Sequence, residues 1–226
     1  MDMHPGVAPD TVTVLWCTTD GDERRKAHTL LVRTAADMLD VPLSELWLTH
    51  REDGRPVLGG AGEALRVSVT HARGALAVAL TGGSPVGVGV GVDVEVVRRL
   101  RAEAMARAWL APVEAAWVAG LPEKDRSAAF LWLWTQKESV GKALGLGLRR
   151  GGMSRRVPLP EPWPPVEGAP PVLRPLPGDP ETASAAAVVG GGRLVVGVAL
   201  HGGTGSGPRP GAVHLRVHQV SPVAYS

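Results

Sequence analysis

The stretch VGVGVGVDVEV, residues 86–96, constrains the fold more than any other part of the chain. Side chains alternate between the two faces of a strand, so its six valines share one face. The opposite face carries three glycines, followed by Asp93 and Glu95. Glycine weakens a strand and often marks the close approach of a ligand or of another backbone. The pattern predicts a strand with one apolar face and one bare face that ends in two carboxylates.

The two carboxylates at the end of this strand form a candidate metal site. Asp93 and Glu95 lie two residues apart and project in the same direction. Neighbouring carboxylates resist joint ionisation unless a cation or a donor lies between them, and oxygen ligands of this kind suit Mg²⁺. A solvent-exposed strand end with two charges is the alternative. A dinucleotide-binding fingerprint is excluded, because GVGVDV lacks the third glycine and no helix follows at once.

Composition narrows the class of protein. A chain of 226 residues is long enough for one large domain or two small ones. Its hydrophobic fraction of 44% and charged fraction of 20% are typical of a soluble globular protein. The formal net charge of +2 gives no field that argues for nucleic-acid binding. The single cysteine, Cys17, excludes an internal disulfide and any cysteine-based zinc site.

Targeting and membrane segments are not evident in the sequence. The start MDMHPGVAPD lacks a basic segment followed by an apolar run, so no secretory signal is expected. No stretch approaches the roughly 20 apolar residues that a membrane-spanning helix needs. We therefore expect a soluble, cytoplasmic protein that binds neither membranes nor nucleic acids.

Apolar spacing predicts an α+β fold of two pseudo-repeated halves, each a small antiparallel sheet packed with helices, at residues 1–100 and 101–226. Helices are predicted at residues 22–39, 102–120 and 127–144, and strands at 12–17, 66–70, 75–81, 86–97, 185–189, 194–200 and 213–220. Turn-like segments between residues 66 and 97 predict that the three strands there form an antiparallel meander. Ten prolines in residues 157–180 predict an extended loop. A ligand site between the halves would lie where such sites commonly occur.

A second group of candidate residues lies in WTQKESVGKALG, residues 134–145. Glu138 and Lys142 are four residues apart and share a helix face, with Trp134 one turn earlier on the same face. A surface ion pair is the plain alternative. The tryptophans of this region argue against a fully solvated helix, and Gly141 within it calls for a packing or ligand reason.

Basic side chains elsewhere are weaker candidates for phosphate binding. His71 follows a strand in VSVTHARG, where its imidazole could donate to a phosphate oxygen, although an isolated histidine is more often structural. The turn DGRP presents Arg55. Arg24, Arg25 and Arg33 lie on or beside one side of the first predicted helix, for which a solvated helix face is the alternative.

Taken in order, GRP, THARG, GVDVE and WTQKESVGKALG resemble the Sfp-type 4′-phosphopantetheinyl transferases. That family carries a G-[KR]-P turn, a Ser/Thr-His strand end, a G-[IV]-D-[IV]-E strand and a W-x-x-K-E-x-x-x-K helix. The resemblance covers roughly residues 24–145, and its last two motifs are quite specific. The chain departs from the commonest pattern at Thr70, where serine is more frequent, at Arg55, where lysine is usual, and at Gly141 inside the helix.

The resemblance implies the 4′-phosphopantetheinyl transferase-like fold and its activity. The phosphopantetheine group of coenzyme A would pass to a serine of an acyl or peptidyl carrier protein, as in polyketide and nonribosomal peptide biosynthesis, with release of 3′,5′-ADP. Asp93, Glu95 and Glu138 are implied to bind Mg²⁺, or Mn²⁺ in its place. Glu138, Lys142 and His71 are implied to be catalytic, with Glu138 helping to deprotonate the carrier serine and Lys142 contacting the pyrophosphate. The residues implied to bind coenzyme A are Arg33, Arg55, Thr70, His71, Lys137 and Lys142.

These roles carry structural expectations. The bare glycine face would let the diphosphate and its metal lie close to the backbone, and Glu138 would reach them only if its helix packs beside the strand of residues 86–96. A monomer is expected, because two pseudo-repeats in one chain can build a complete site. A non-catalytic relative that binds coenzyme A or carrier proteins is the main alternative. A metal-dependent phosphohydrolase acting on nucleotides is a third possibility.

Overall fold

The computed structural model describes residues 11–82, 88–148, 152–165, 170–202 and 213–221, so the first two residues of the glycine–valine stretch lie outside it. The described residues form an α+β fold with four α-helices and small sheets, as predicted. The helices are α1 (Glu23–Leu39), α2 (Ala102–Trp109), α3 (Pro112–Gly120) and α4 (Glu123–Leu144). The strands are β1 (Thr11–Thr18), β2 (Leu46–His50), β3 (Pro56–Gly60), β4 (Arg66–Ala72), β5 (Ala75–Thr81), β6 (Gly89–Val96), β7 (Arg174–Leu176), β8 (Asp179–Val189), β9 (Leu194–His201) and β10 (His214–Gln219).

Two four-stranded sheets pack face to face and each carries a helix on its outer side. The first sheet has the order β10-β1-β5-β4, and the second has the order β6-β9-β8-β7. Valines of β1 and β6, such as Val14 and Val92, meet in the apolar core between the sheets. Helix α1 covers the outer face of the first sheet, and α4 covers the outer face of the second. This layering puts the two faces of β6 into two different environments.

The valine face of β6 packs against the first sheet, but the strand does not belong to that sheet. Strand β6 pairs antiparallel with β9 along its whole length, from Gly89 to Val96. The prediction of a three-stranded meander is therefore correct for β4 and β5 and wrong for β6. The apolar face accounts for this difference. When β6 stacks on the face of the first sheet, its valines are buried in the core between the two sheets.

The glycine face of β6 packs against α4. A Cβ atom at Gly89 would come 2.0 Å from the carbonyl oxygen of Ala143, and one at Gly91 would come 1.9 Å from that of Ser139. Gly197 on the neighbouring β9 makes the same kind of approach to Thr135. The glycines therefore make room for the helix backbone, and the expectation that a diphosphate lies on them is corrected. The expectation that α4 packs beside this strand is confirmed.

Strands are exchanged between the two predicted halves. Strand β6, from the segment 1–100, is an edge of the second sheet, whereas β10, from the segment 101–226, pairs parallel with β1 in the first. The prediction of small antiparallel sheets thus holds with the exception of this one parallel pair. The exchange ties the two parts of the molecule together through both sheets.

Other elements differ from their predicted extents. The helix predicted over 102–120 is two helices, because the chain turns at Leu110 and restarts with Pro112 at the first position of α3. Helix α4 begins four residues earlier than predicted. The hairpin β2–β3 was not predicted, and the proline-rich segment contains the short strand β7. No helix in the described ranges is long and apolar enough to span a membrane.

Candidate active site

Asp93 is the centre of the candidate site. It is 8% exposed, near the end of β6, and its side chain points to the same side as the glycines, toward α4. The ammonium of Lys142 donates to Asp93 Oδ1 over 2.8 Å and to the backbone oxygen of Val92 over 2.8 Å. The hydroxyl of Thr70, on β4, donates to the same carboxylate oxygen over 2.9 Å. One carboxylate therefore joins β4, β6 and α4.

Glu95 and Glu138 complete an acidic group around Asp93. Burial raises the pKa of the Glu138 carboxyl, and the charges of Asp93 and Glu95 raise it further, while Lys142 opposes them. Burial also raises the pKa of Glu95, followed in effect by the charge of Asp93, with Arg98 and Lys142 opposing. Asp93 is thus close enough to both glutamates to disfavour their ionisation, as predicted for neighbouring acids.

The chemistry of this group suits a hard dication. The three carboxylates supply oxygen ligands, and a bound cation would relieve the repulsion among them. The ammonium of Lys142 already places one positive charge beside Asp93. Within the described ranges, no three acidic, histidine or cysteine side chains are already arranged as a metal site. Asp93 is held by Lys142, and Glu95 lies 3.5 Å from Arg98. The donor types and the charge balance fit Mg²⁺.

Helix α4 carries Glu138 and Lys142 to the strand because its backbone lies on glycine. Gly141, the glycine that called for an explanation, has one in packing: a Cβ there would come 2.3 Å from the carbonyl oxygen of Gly147. The helix then ends at Gly145, whose φ of 70° is the left-handed conformation that favours glycine. The glycines of this motif therefore shape the end of the helix beside the acidic group.

Arg55 lies at the carboxyl end of α4. Its guanidinium group is so close to Gly145 that a Cβ there would come 2.6 Å from three of its atoms. Asp53, in the same turn, accepts from the Arg55 backbone and side chain over 3.1 and 2.7 Å. Because Gly145 follows Lys142 by three residues, Arg55 and Lys142 flank the last turn of the helix. The structure therefore places Arg55 beside the end of the helix that carries Lys142.

Arg33 lies on α1, and His71, on β4, lies near that helix. His71 interacts electrostatically with Glu23 and with His28, both of which lie on α1. Burial lowers the pKa of His28, and the charges of His50, Arg24 and His71 lower it further. Arg33, His28 and His50 line a cavity of about 440 Å³ between α1 and β2. This cavity thus lies between α1 and the β2–β3 hairpin, with the guanidinium-bearing Arg33 in its lining.

Lys137 is placed differently from the other predicted site residues. Its side chain is fully buried, and its ammonium forms an ion pair of 2.7 Å with Glu114 of α3. It also donates to the backbone oxygen of Arg155, and Glu114 accepts from the backbone N–H of Val157 over 2.9 Å. Burial lowers the pKa of Lys137, while Glu114 opposes that effect. The structure thus places Lys137 in a buried ion pair with α3, and its contact with coenzyme A stays a prediction.

Two groups of side chains near the site were not singled out from the sequence. Ser68 lies two residues before Thr70 on the same face of β4, and its hydroxyl accepts from the backbone N–H of Val92 over 3.1 Å. The alternation in VSVTH could have indicated this contact, because it places two hydroxyls on one strand face and buried hydroxyls need hydrogen-bond partners. His28 and His50, whose rings lie 5.3 Å apart, come from distant segments and carry no such signal.

A comparison with known protein families bears on this part of the chain. Residues 89–164, about a third of the chain, match the model of the ACPS family, the 4′-phosphopantetheinyl transferase superfamily. The matched segment begins at β6 and includes α4, so it contains all the carboxylates of the acidic group together with Lys142. None of the curated proteins compared with the chain matched it.

The segment that builds the acidic group is therefore similar to the 4′-phosphopantetheinyl transferase superfamily, over about a third of the chain. The resemblance noted from the sequence is confirmed at that level, and phosphopantetheinyl transfer is the general activity that it implies. The superfamily uses coenzyme A and a divalent metal ion and acts on carrier-protein domains.

Proposed function

We propose that this protein is an Sfp-type transferase that moves 4′-phosphopantetheine from coenzyme A to a serine of an acyl or peptidyl carrier protein. The observation that carries this proposal is the meeting of Asp93, Glu95, Glu138 and Lys142 where α4 packs on β6, inside the segment that matches the superfamily. The Sfp-type assignment is supported by Arg55 and His71, which come from N-terminal motifs outside that segment. A monomer is consistent with both parts of the site lying in one chain.

The proposed metal is Mg²⁺, or Mn²⁺ in its place, held by Asp93, Glu95 and Glu138. When bound, it would neutralise charge on the phosphate oxygens of coenzyme A. This chain's own contribution is to hold the carboxylates against α4 and to leave Glu138 partly accessible.

Cationic side chains of the chain would hold the coenzyme. Lys142 lies beside the acidic group and would contact the pyrophosphate. Arg55 flanks the same helix end. His71 and Arg33 lie toward the cavity beside α1, which suits the nucleotide end of the coenzyme. The proposed binding residues thus come from the end of α4, from the β2–β3 turn and from the neighbourhood of α1.

The reaction needs a proton acceptor and a stabilised leaving group. The serine oxygen of the carrier forms a bond to the phosphorus attached to pantetheine, and the bond from that phosphorus to the nucleotide oxygen breaks. Glu138 takes the serine proton as the general base. The electron pair of the broken bond leaves with 3′,5′-ADP, whose developing charge Lys142 stabilises.

An exposed aromatic surface near Glu138 is the proposed docking region for the carrier. Trp109, at the end of α2, is 47% exposed, and its ring lies 5.6 Å from that of Trp134. Trp134 precedes Glu138 by one turn on the same helix face. A carrier seated on Trp109 would therefore lie next to the residue that must accept its serine proton.

Mass spectrometry of apo carrier proteins incubated with coenzyme A and Mg²⁺ tests the proposal. A gain of one phosphopantetheine mass that needs both this protein and the metal is expected. Glu138→Gln should abolish the gain, whereas Glu123→Gln, at the exposed start of the same helix, should preserve it. No gain with any of several acyl and peptidyl carriers would contradict the proposal. Saturable coenzyme A binding without transfer would instead identify a non-catalytic relative, and product release without a carrier would identify a phosphohydrolase.

A further inference from the structure

The contact between β4 and β6 is made by side-chain hydroxyls. The two strands lie in different sheets, and β6 uses one of its edges to pair with β9. Toward β4, the backbone N–H of Val92 donates to Ser68 Oγ over 3.1 Å, and Thr70 Oγ1 donates to Asp93 Oδ1 over 2.9 Å. Ser68 and Thr70 are 5% and 7% exposed, so water competes little for either contact. Consecutive residues of β6 are therefore each held by a hydroxyl of β4.

The Thr70 contact falls on a functional carboxylate, unlike the Ser68 contact. Thr70, on β4, and Lys142, on α4, donate to the same oxygen of Asp93 over 2.9 and 2.8 Å. Two donors converging on Oδ1 fix the rotation of the carboxylate about its last bond. They also leave its second oxygen out of both contacts. Such donors orient a ligating carboxylate before any ion arrives.

We propose that Thr70 is a positioning residue that orients Asp93 for the metal ion. This inference rests on the proposed function and assigns Thr70 a different partner from the one that the family resemblance implied. The hydroxyl serves the protein carboxylate, and contact with coenzyme A is not needed for its role. Partners that hydrogen-bond to metal ligands typically contribute 10–100-fold in metal affinity.

Direct measurement of Mn²⁺ binding by electron paramagnetic resonance, without coenzyme A or carrier, tests the inference. Thr70→Val keeps the side-chain shape and removes the donor, so we expect Mn²⁺ affinity to fall about 10-fold. Thr70→Ser keeps the hydroxyl and should bind Mn²⁺ within about twofold of the unmodified protein. Ser68→Ala is the matched control on the same strand: it should lower stability by leaving the Val92 N–H unpaired, without changing Mn²⁺ affinity.

Steady-state kinetics separate the two roles of Thr70. If it positions Asp93, Thr70→Val raises the Mg²⁺ concentration for half-maximal rate and leaves the KM for coenzyme A unchanged at saturating metal. If it contacts the coenzyme, the KM for coenzyme A rises and Mn²⁺ affinity stays the same, which would overturn the inference. Equal loss of Mn²⁺ affinity in Ser68→Ala would also overturn it, because the effect would then follow from stability alone.

The outcomes for the inference and for the proposed function are distinct. If the unmodified protein binds no Mn²⁺, the proposed metal site fails. If it binds Mn²⁺ and Thr70→Val binds it equally well, only the positioning role fails. Should Thr70→Val not fold, Thr70→Cys provides a weaker donor of similar size and is expected to give an intermediate affinity. If the folded cysteine variant binds Mn²⁺ as tightly as the unmodified protein, the positioning role of Thr70 is contradicted.

Discussion

Gly91 and Ser139 are in such close contact that a Cβ atom at Gly91 would lie 1.9 Å from the Ser139 carbonyl oxygen. Ser139 directly follows Glu138, and Gly91 precedes Asp93 by two residues on the same strand face. The distance between the backbones of β6 and α4 is therefore set by Gly91, which lies beside Asp93 and Glu138. A larger residue at this position would separate the carboxylates that the proposed function needs together.

Substitution of Gly91 should affect both stability and activity. Gly91→Ala forces β6 and α4 apart, so we expect a loss of about 1–3 kcal/mol in the free energy of unfolding, typical of overpacking. Carrier modification should also fall at saturating coenzyme A, because Glu138 moves away from Asp93. Urea unfolding and the mass-shift assay measure the two effects.

Gly120 provides the control for this substitution. It ends α3 with no other atom within 4 Å of an added Cβ, so Gly120→Ala should leave stability unchanged or raise it by up to about 1 kcal/mol. Equal effects of the two substitutions would contradict the packing role assigned to Gly91.

The sequence predicted the strand of residues 86–96 and its faces, but not their partners. Alternation alone divides the valines from the glycines, because the period of a strand is two. It does not say whether a ligand or a backbone fills the glycine side, since both need the same space. The local pattern likewise cannot say that β6 pairs with β9, which lies about a hundred residues later in the chain.

The candidate site was predictable where its residues are close in sequence. Glu138 and Lys142 share a helix face by spacing alone, and Asp93 and Glu95 share a strand face. The role of Lys137 was not predictable, because adjacent helical residues point in directions about 100° apart and its partner Glu114 lies on another helix. The motif implies a ligand role for Lys137, whereas its burial and ion pair with Glu114 favour a structural one.

Lys137 should therefore matter for stability and not for coenzyme binding. Lys137→Met leaves the Glu114 carboxylate buried without its cation, so we expect a loss of about 3–5 kcal/mol in the free energy of unfolding. The double variant with Glu114→Gln should lose less than the sum of the single variants. Lys124→Met, at an exposed position on the same helix, is the control. If Lys137→Met instead raises the KM for coenzyme A and leaves stability unchanged, the predicted contact between Lys137 and coenzyme A would be supported.

Trp109 should affect the carrier and not the coenzyme. Trp109→Ala removes the exposed ring that lies tilted beside Trp134, so we expect the KM for carrier protein to rise about 10-fold, as for an aromatic interface residue worth some 1.4 kcal/mol. The KM for coenzyme A should not change. Trp47→Ala removes a similarly exposed ring from β2, outside the helices that carry Trp109 and Trp134, and should leave the KM for carrier protein unchanged. Similar effects from both substitutions would argue against a specific docking surface at Trp109.

The raised pKa of Glu138 predicts how stability depends on pH in the absence of metal. Burial is the first cause, and the charges of Asp93 and Glu95 add to it. Because the folded-state pKa lies above the unfolded value, the carboxyl favours the folded state fully at low pH. That contribution is lost as pH rises from about 4.5 through the raised pKa. The Glu138 carboxyl therefore makes the metal-free protein less stable at neutral pH than at low pH.

Glu138→Gln should remove this dependence. In a chelating buffer, we expect the variant to gain stability over the unmodified protein as pH rises from 4 to 8, as measured by urea unfolding at each pH. Added Mg²⁺ should stabilise the unmodified protein at pH 8 more than the variant, because the ion offsets the repulsion among three carboxylates in one and two in the other. Glu123→Gln is the control on the same helix. If the stability difference between Glu138→Gln and the unmodified protein stays flat from pH 4 to 8, Glu138 does not share an acidic group with Asp93 and Glu95.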